Sequence, residues 1–388
     1  MKINLIGAVG GGNFGDEFIL NCCIAEHLKN NDKKVSVSSF SPNIILKDVH
    51  SVETNALNFF NILNELRSKA AKGLKISLDD LMSQFEGFEK FDALHFIGGG
   101  YINSLWPGNY ALLSIAYVYS QIHKIPIYAT GLGLYPYVEN ENIINLFNSL
   151  DIIDVRDKNS KDLVKEASFT GDDALLALNN PNILATNEKP PALIISLQSH
   201  LFEGRPLIEK IFTKDILNEL KIKKIKKIII IEAAPEDNIP FSRNIFNNAL
   251  SSGIDIEFLT GHEILKSGLP FSLNSFVISS RYHVNLLYSM LNVSGIAVYQ
   301  NEYYRNKHQS VTDMGGEWSI LSHEKLSKAL DHWLPLDLEK STSSKKMTAL
   351  ACEKKNLFCN IVANAPTKDK KSISLEGALA IINNFITK

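Results

Sequence analysis

The residues best suited to chemistry lie in one short turn, Ser279-Ser280-Arg281-Tyr282-His283. Phe276, Val277 and Ile278 before it form a short apolar run of β-forming residues. Leu286, Leu287, Met290 and Leu291 after it repeat at helical spacing. The turn is therefore expected where a strand ends and a helix begins, with free backbone N–H groups and the positive end of the helix dipole. Such a place attracts anions before any side chain is counted. Arg281 adds a permanent planar cation and His283 a proton carrier near neutral pH. Together they read as an anion cradle with an acid beside it. The plainer alternative is a surface arginine and a core-edge histidine in an ordinary turn.

Elements that could position such a turn recur along the whole chain. Ile3–Ile6 reads as a buried parallel strand and Ile19–Leu28 as a helix, joined by the loop Gly7 to Asp16. Gly10, Gly12 and Gly15 match the G-x-G-x-x-G pattern of dinucleotide-binding loops. Two features weigh against that reading. No Asp or Glu occurs from Val35 to Lys47, where a ribose-binding acid belongs, and Asp16 puts a carboxylate where a pyrophosphate must lie. Asp16 also suits a helix N-cap. Strands follow at Lys34–Phe40, Ala93–Ile97, Pro126–Thr130 and Ile152–Arg156, with helices over Ala56–Leu78, Ala111–His123 and Lys161–Ala167. Gly98-Gly99-Gly100 closes one of these strands and lets backbone approach a ligand or another loop closely.

The Asn- and Pro-rich stretch Asn179–Pro191 reads as a linker. A second alternation follows, with strands at Ala192–Leu197, Lys227–Glu232, Ile254–Leu259, Ser275–Ile278 and Gly295–Tyr299. The expected architecture is α/β, with two Rossmann-like domains facing each other across a cleft and helices at the C-terminus. The boundaries are 1–185 and 191–330 for the two domains and 331–388 for a helical extension joined by Lys/Ser-rich linkers at Lys340–Lys346 and Lys368–Ser374.

Composition narrows the function. At 388 residues the chain exceeds one comfortable core. A net charge of -2 offers no general attraction for nucleic acid or a membrane surface. The four cysteines fit neither a disulfide framework nor common zinc spacings. With no leader-like start and no apolar run near the ~20 residues that span a bilayer, a cytoplasmic protein is expected, with at most peripheral contact with the inner face of the membrane. His95 reads as a core histidine, His123 as a helix-end residue and His308 as a surface residue.

Four segments, in order, resemble the polysaccharide pyruvyl transferase family. They are Asn13-Phe14-Gly15-Asp16; Phe96-Ile97-Gly98-Gly99-Gly100; Val155-Arg156-Asp157 with Ser160 and Asp172-Asp173-Ala174; and Ser280-Arg281-Tyr282-His283 with Gly295. Tyr303-Tyr304-Arg305-Asn306-Lys307, leading to Met314-Gly315, is similar to a further family element. Departures are Gln198, where many relatives are basic, and Tyr282, where Leu is common.

The resemblance implies a glycosyltransferase-B-like fold and transfer of the pyruvyl group of phosphoenolpyruvate to two hydroxyls of one sugar, forming a cyclic ketal and releasing phosphate. It implies no cofactor and no metal, only phosphoenolpyruvate as co-substrate and a saccharide acceptor, free or lipid-linked. On this reading His283 protonates C3 of the enol, and Arg281, Arg156, Ser280 and Lys307 hold the donor's carboxylate and phosphate. Asn13, Asp16, Gly99 and Gly100 face the acceptor, and Asp16 takes a hydroxyl proton. Two rivals stay open. A nucleotide-sugar-dependent glycosyltransferase would use the Arg281 turn for a diphosphate, although Asn285, Leu286 and Leu287 stand where an acidic ribose clamp belongs. A non-catalytic sugar-binding protein would keep the fold without needing His283.

Overall fold

This computed structural model describes residues 1–29, 33–41, 52–53, 56–180, 182–198, 204–237, 243–331, 345–363 and 372–388, with backbone only at 52, 204 and 243–246. The chain divides into two compact units. The first takes in Met1–Gly11, Asp16–Leu176 and Leu350–Lys388; the second takes in Gly12–Gly15 and Ala177–Ala349. Each unit buries its own apolar core on a parallel sheet.

In the first unit the strands are β1 (Lys2–Ile6), β2 (Lys34–Ser38), β3 (Val52–Glu53), β4 (Ala93–Phe96), β5 (Ile127–Leu132), β6 (Ile152–Val155) and β7 (Ser168–Phe169). Their order is β3-β2-β1-β4-β5-β6-β7, all parallel. Strands buried on both faces need continuous apolar runs, and β4 and β5 are buried at every position. The order reverses between β1 and β4, and ligands of open α/β sheets bind outside the strand ends at such a switch point.

The second unit repeats the plan. After β8 (Thr186–Glu188) come β9 (Leu193–Ser196), β10 (Lys227–Glu232), β11 (Asp255–Thr260), β12 (Leu269–Phe271), β13 (Phe276–Ser279), β14 (Ser294–Tyr299) and β15 (Ser319–Ser322). The main sheet runs β11-β10-β9-β13-β14-β15, while β8 pairs with β12 in a small sheet of their own. Here the switch point lies between β9 and β13. β8 falls inside the stretch read as a linker, of which Pro181 lies outside the described residues.

Local chemistry moves several element boundaries. The first helix begins at Phe14 rather than Ile19. Asn13 Oδ1 accepts the Gly15 N–H at 3.1 Å, the bond of an N-cap residue, so Asp16 is inside the first turn and is not the cap. The single helix expected over Ala56–Leu78 is two, Phe59–Ala70 and Leu78–Phe85. Gly73 turns left-handed at φ 78°, and Ser77 then opens the second helix with a capping box to Asp80. The helix expected at Lys161–Ala167 is Lys158–Leu163, because Asp157 caps it by accepting the Ser160 N–H.

The end of the chain is not a separate extension. Ile373, Ala378, Ile381, Ile382 and Phe385 lie in the first unit's core, where Phe385 meets Tyr110 edge-on and Ser114 Oγ donates to Ala378 O at 2.8 Å. The helix Leu375–Phe385 carries an apolar face that only a second apolar surface can cover. Most of the two Lys/Ser-rich stretches falls outside the described residues. Among the described residues, no helix is long and apolar enough to cross a membrane.

Candidate functional site

The turn after β13 sits at the second unit's switch point. The helix Tyr282–Met290 starts there with Arg281 as N-cap, its side chain making no capping bond. Ser279 Oγ shapes the turn instead, accepting the Arg281 N–H at 3.0 Å and donating to Arg281 O at 3.1 Å. Ser280 was expected to touch a donor, but it faces inward. Its N–H donates to Ser196 O at 2.9 Å, its hydroxyl accepts the Gln198 N–H at 2.8 Å, and it is buried. Ser280 therefore ties β13 to the end of β9. Gln198 Oε1 is buried with no hydrogen-bond partner among the described residues.

His283 takes the second helical position and packs edge-on against Tyr282 at 4.9 Å. Its ring lies directly on Gly15. A methyl group added there would overlap the His283 ring. The same loop is held by Phe14 N–H donating to Ala233 O at 2.7 Å and by Gly12 against Pro235. Gly15 is thus a glycine for close approach, as the G-x-G-x-x-G pattern requires, but what approaches is an imidazole and not a pyrophosphate.

Arg281 is nearly buried and engaged. Its Nε donates to Asp237 Oδ2 at 2.7 Å and its Nη2 donates to Asp237 Oδ1, a side-on fork. Glu236 Oε1 lies 3.4 Å from the same Nη2. Asp237 has a side chain only 1% exposed, and it closes a short turn after β10. Burial pushes the Asp237 carboxyl up, and the Arg281 guanidinium only partly offsets this. Nothing in the sequence singled out Asp237. Lys307 Nζ rests over Tyr303 and Tyr304 at 4.5 and 5.4 Å from the ring centres, an arrangement that the Tyr-Tyr-x-x-Lys spacing makes natural on a helix. His308 is fully buried rather than on the surface, with Nδ1 3.1 Å from Asn285 Nδ2. Burial, with Lys307 adding to it, pushes its pKa down to about 4.

The other expected site residues belong to the first unit. Gly98 N–H donates to Asp173 Oδ2 at 2.8 Å, Gly99 N–H to Gly131 O at 3.3 Å, and Gly133 N–H to Gly99 O at 2.9 Å. Gly100 O accepts from Asn103 at 2.9 Å. What Gly99 approaches is therefore the end of β5, and its polar backbone groups are committed there, while Gly98 is held by Asp173. Asp173 and Asp154 share Lys354, whose Nζ lies 2.9 Å from Asp173 Oδ1 and bonds Asp154 Oδ2. All three side chains are 0% exposed. Burial alone would lower the Lys354 pKa, but the two carboxylates outweigh it and raise it. Thr130 Oγ1 donates to Asp173 at 2.6 Å and meets His95 Nε2 at 2.8 Å, and His95 Nδ1 meets His27 Nε2 at 3.0 Å. Burial, with Lys354 adding to it, pushes His95 down to about 3.

Arg156 is closed in. Its Nη1 donates to Asp172 Oδ2 at 2.9 Å, with 3% and 0% of the two side chains exposed, and the guanidinium packs over Gly133. Donor binding does not fit a guanidinium so enclosed. Asp16 stands in the first turn of its helix, where a carboxylate suits the dipole, and its charge adds to burial and Asp173 in pushing the Tyr101 phenol up.

The motif order found along the chain is that of a known family. Residues 13–301 match the family described as polysaccharide pyruvyl transferase. The chain belongs to this family. No curated protein matches the chain. Among solved structures, the UDP-GlcNAc 2-epimerase from Neisseria meningitidis bound to UDP-GlcNAc is similar over 94% of this chain and 100% of that one, with TM-score 0.56 and 13% identity. Another UDP-N-acetylglucosamine 2-epimerase covers 95% and 98% at TM-score 0.55 and 12% identity. A glycotransferase of kitacinnamycin covers 94% and 99% at TM-score 0.52 and 11% identity. At such identities the likeness is one of fold, and that fold is the glycosyltransferase-B-like arrangement of parallel α/β sheets with C-terminal helices. In this pyruvyl transferase family member the matched region stops short of Lys354.

Proposed function

We propose that the protein transfers the pyruvyl group of phosphoenolpyruvate to two hydroxyls of one sugar of a surface polysaccharide or its precursor. The observation that carries this reading is the placement of Arg281 and His283, within the family match, at the start of one helix at the second sheet's switch point. The donor is assigned to this unit, with the Arg281 guanidinium on an oxyanion and Lys307 as a point charge for the phosphate. His283 gives a proton to C3, which becomes a methyl group, and C2 becomes an oxocarbenium-like electrophile. One sugar hydroxyl adds to C2, the bond from C2 to the phosphate oxygen breaks, and the second hydroxyl closes the ketal. Of the two hydroxyl protons, one balances the proton gained by C3 and the other leaves with phosphate. The acceptor is assigned to the first unit, where Asp16 is the carboxylate that takes a hydroxyl proton.

The test incubates the purified chain with phosphoenolpyruvate and a panel of saccharides in deuterated water. Phosphate release with one deuterium in the product methyl group is the expected result. Release of a nucleoside diphosphate from a nucleotide sugar, with none of phosphate from phosphoenolpyruvate, overturns the reading. Calorimetry in chelator should still show donor binding; binding only after magnesium is added would remove the metal-free part of the proposal.

A further inference from the structure

The side-on fork at Arg281 leaves a specific part of that side chain unused. Asp237 takes the Nε and Nη2 edge, and Nη1 has no protein partner among the described residues. A guanidinium offers five N–H donors in one plane, so a carboxylate on the side edge leaves the end edge, Nη1 and Nη2, for a second oxyanion. The side chain keeps 10% exposure, small but not closed. Glu236 Oε1 sits 3.4 Å from Nη2, at the margin of an ion pair, and its side chain is 46% exposed.

We infer that Asp237 is a positioning residue that clamps Arg281 so its end edge meets the donor's oxyanion, and that Glu236 is the carboxylate the donor displaces. The inference rests on Arg281 as the donor anchor. Asp237 suits the first role because its turn fixes it from both sides. Its N–H donates to Ala234 O at 2.9 Å, and its Oδ2 accepts the Ala234 N–H at 3.3 Å. A long side chain with several free rotations is thus held in one pose before ligand arrives, which removes an ordering cost from binding. Glu236 suits the second role because its contact with Arg281 is long and its side chain is 46% exposed. Both carboxylates come from one short turn, and only their burial separates their tasks.

The experiment compares binding of phosphoenolpyruvate and, separately, of inorganic phosphate to the full chain by calorimetry, with donor and acceptor KM alongside. Asp237→Asn should weaken donor binding by about 10–100-fold, the range of a charge-assisted hydrogen bond, and raise donor KM while acceptor KM stays put. Asp237→Glu should recover part of the loss. Glu236→Gln, a change at an exposed side chain, should tighten donor binding by about 2–5-fold. In an Arg281→Met background, Asp237→Asn should cost nothing further, a non-additivity that general loosening of the turn does not produce. Wild-type donor affinity in Asp237→Asn, additive effects, or unchanged or weaker binding in Glu236→Gln each overturn the inference. If Asp237→Asn does not fold, Glu236→Gln decides alone. Failure of the wild type to bind phosphoenolpyruvate while it binds phosphate defeats the proposed function but leaves this inference to be judged on phosphate.

Discussion

Arg156 and Arg281 both follow a parallel strand of a Rossmann-like sheet, and each meets a buried aspartate from a neighbouring loop. Their situations then diverge. Arg156 follows β6, two strands beyond the first sheet's switch point, and is shut in with Asp172. Arg281 follows β13, a strand of the second sheet's switch point, and keeps one edge of its guanidinium unpartnered among the described residues. Lys354 with Asp154 and Asp173 extends the first pattern, a cluster with no exposure at all. Position relative to the switch point therefore goes with the difference between a guanidinium that is closed in and one that keeps an edge open. Identity and strand-end location are the same in both.

The largest effect that could break this contrast is expected beside Arg281. His283→Gln keeps hydrogen bonding but cannot supply a proton, so turnover should fall by about 10²–10⁴-fold with donor affinity nearly intact. Wild-type turnover in that variant would place the acid elsewhere. On the closed side, Lys354→Met leaves two buried carboxylates without their cation and should cost about 3–5 kcal/mol of stability, read by urea denaturation. If it instead altered donor affinity while stability held, the cluster would belong to the functional side of the comparison.

A paired substitution sharpens the contrast at smaller scale. Arg281→Lys keeps charge but loses the planar fork, and donor binding should weaken about tenfold or more. Arg156→Lys should lower the melting temperature and leave donor affinity unchanged. Equal losses of affinity in the two variants would erase the distinction.

A pH dependence is also expected in each of the two units. His308 and His95 have folded pKa values lowered to about 4 and about 3 from an ordinary 6.5. The unfolded chain then binds more protons than the folded one between those values, so stability rises with pH across that window. The contribution is fully present above 6.5 and is lost as pH falls through the folded values. From pH 7 to pH 5 each histidine should remove about 2 kcal/mol. His308→Asn and His95→Asn should each flatten the corresponding part of the curve, and a curve unaffected by either would show that these rings do not set it.

Much of this was legible along the chain because strand and helix periods, glycines after strands and caps are local properties. The two alternating halves and the Ser279–His283 turn follow from such patterns, and so does the family resemblance carried by Asn13–Asp16, Gly98–Gly100 and Ser280–His283. Asp237 was not legible, since Ala-Ala-Pro-Glu-Asp marks a turn and nothing more until the fold brings it to Arg281. Lys354 was hidden for the same reason, being one lysine in a helix of mixed composition. The burial of Ser280 and His308 was hidden too, because a polar side chain carries no sign of whether it will face solvent.

The sequence by itself determined the parallel α/β class, the place where a helix opens onto an anion-attracting turn, and the residue types available there. Each depends on neighbours a few residues apart, whose backbone preferences are decided locally. Only the tertiary structure decided which cations are engaged. Asp172 is 16 residues from Arg156 and Asp237 is 44 from Arg281, so neither pairing has a local cause. A charge is tolerated in a core only if the folded chain delivers its counter-charge, and which edge of Arg281 is left open depends on how that delivery was made.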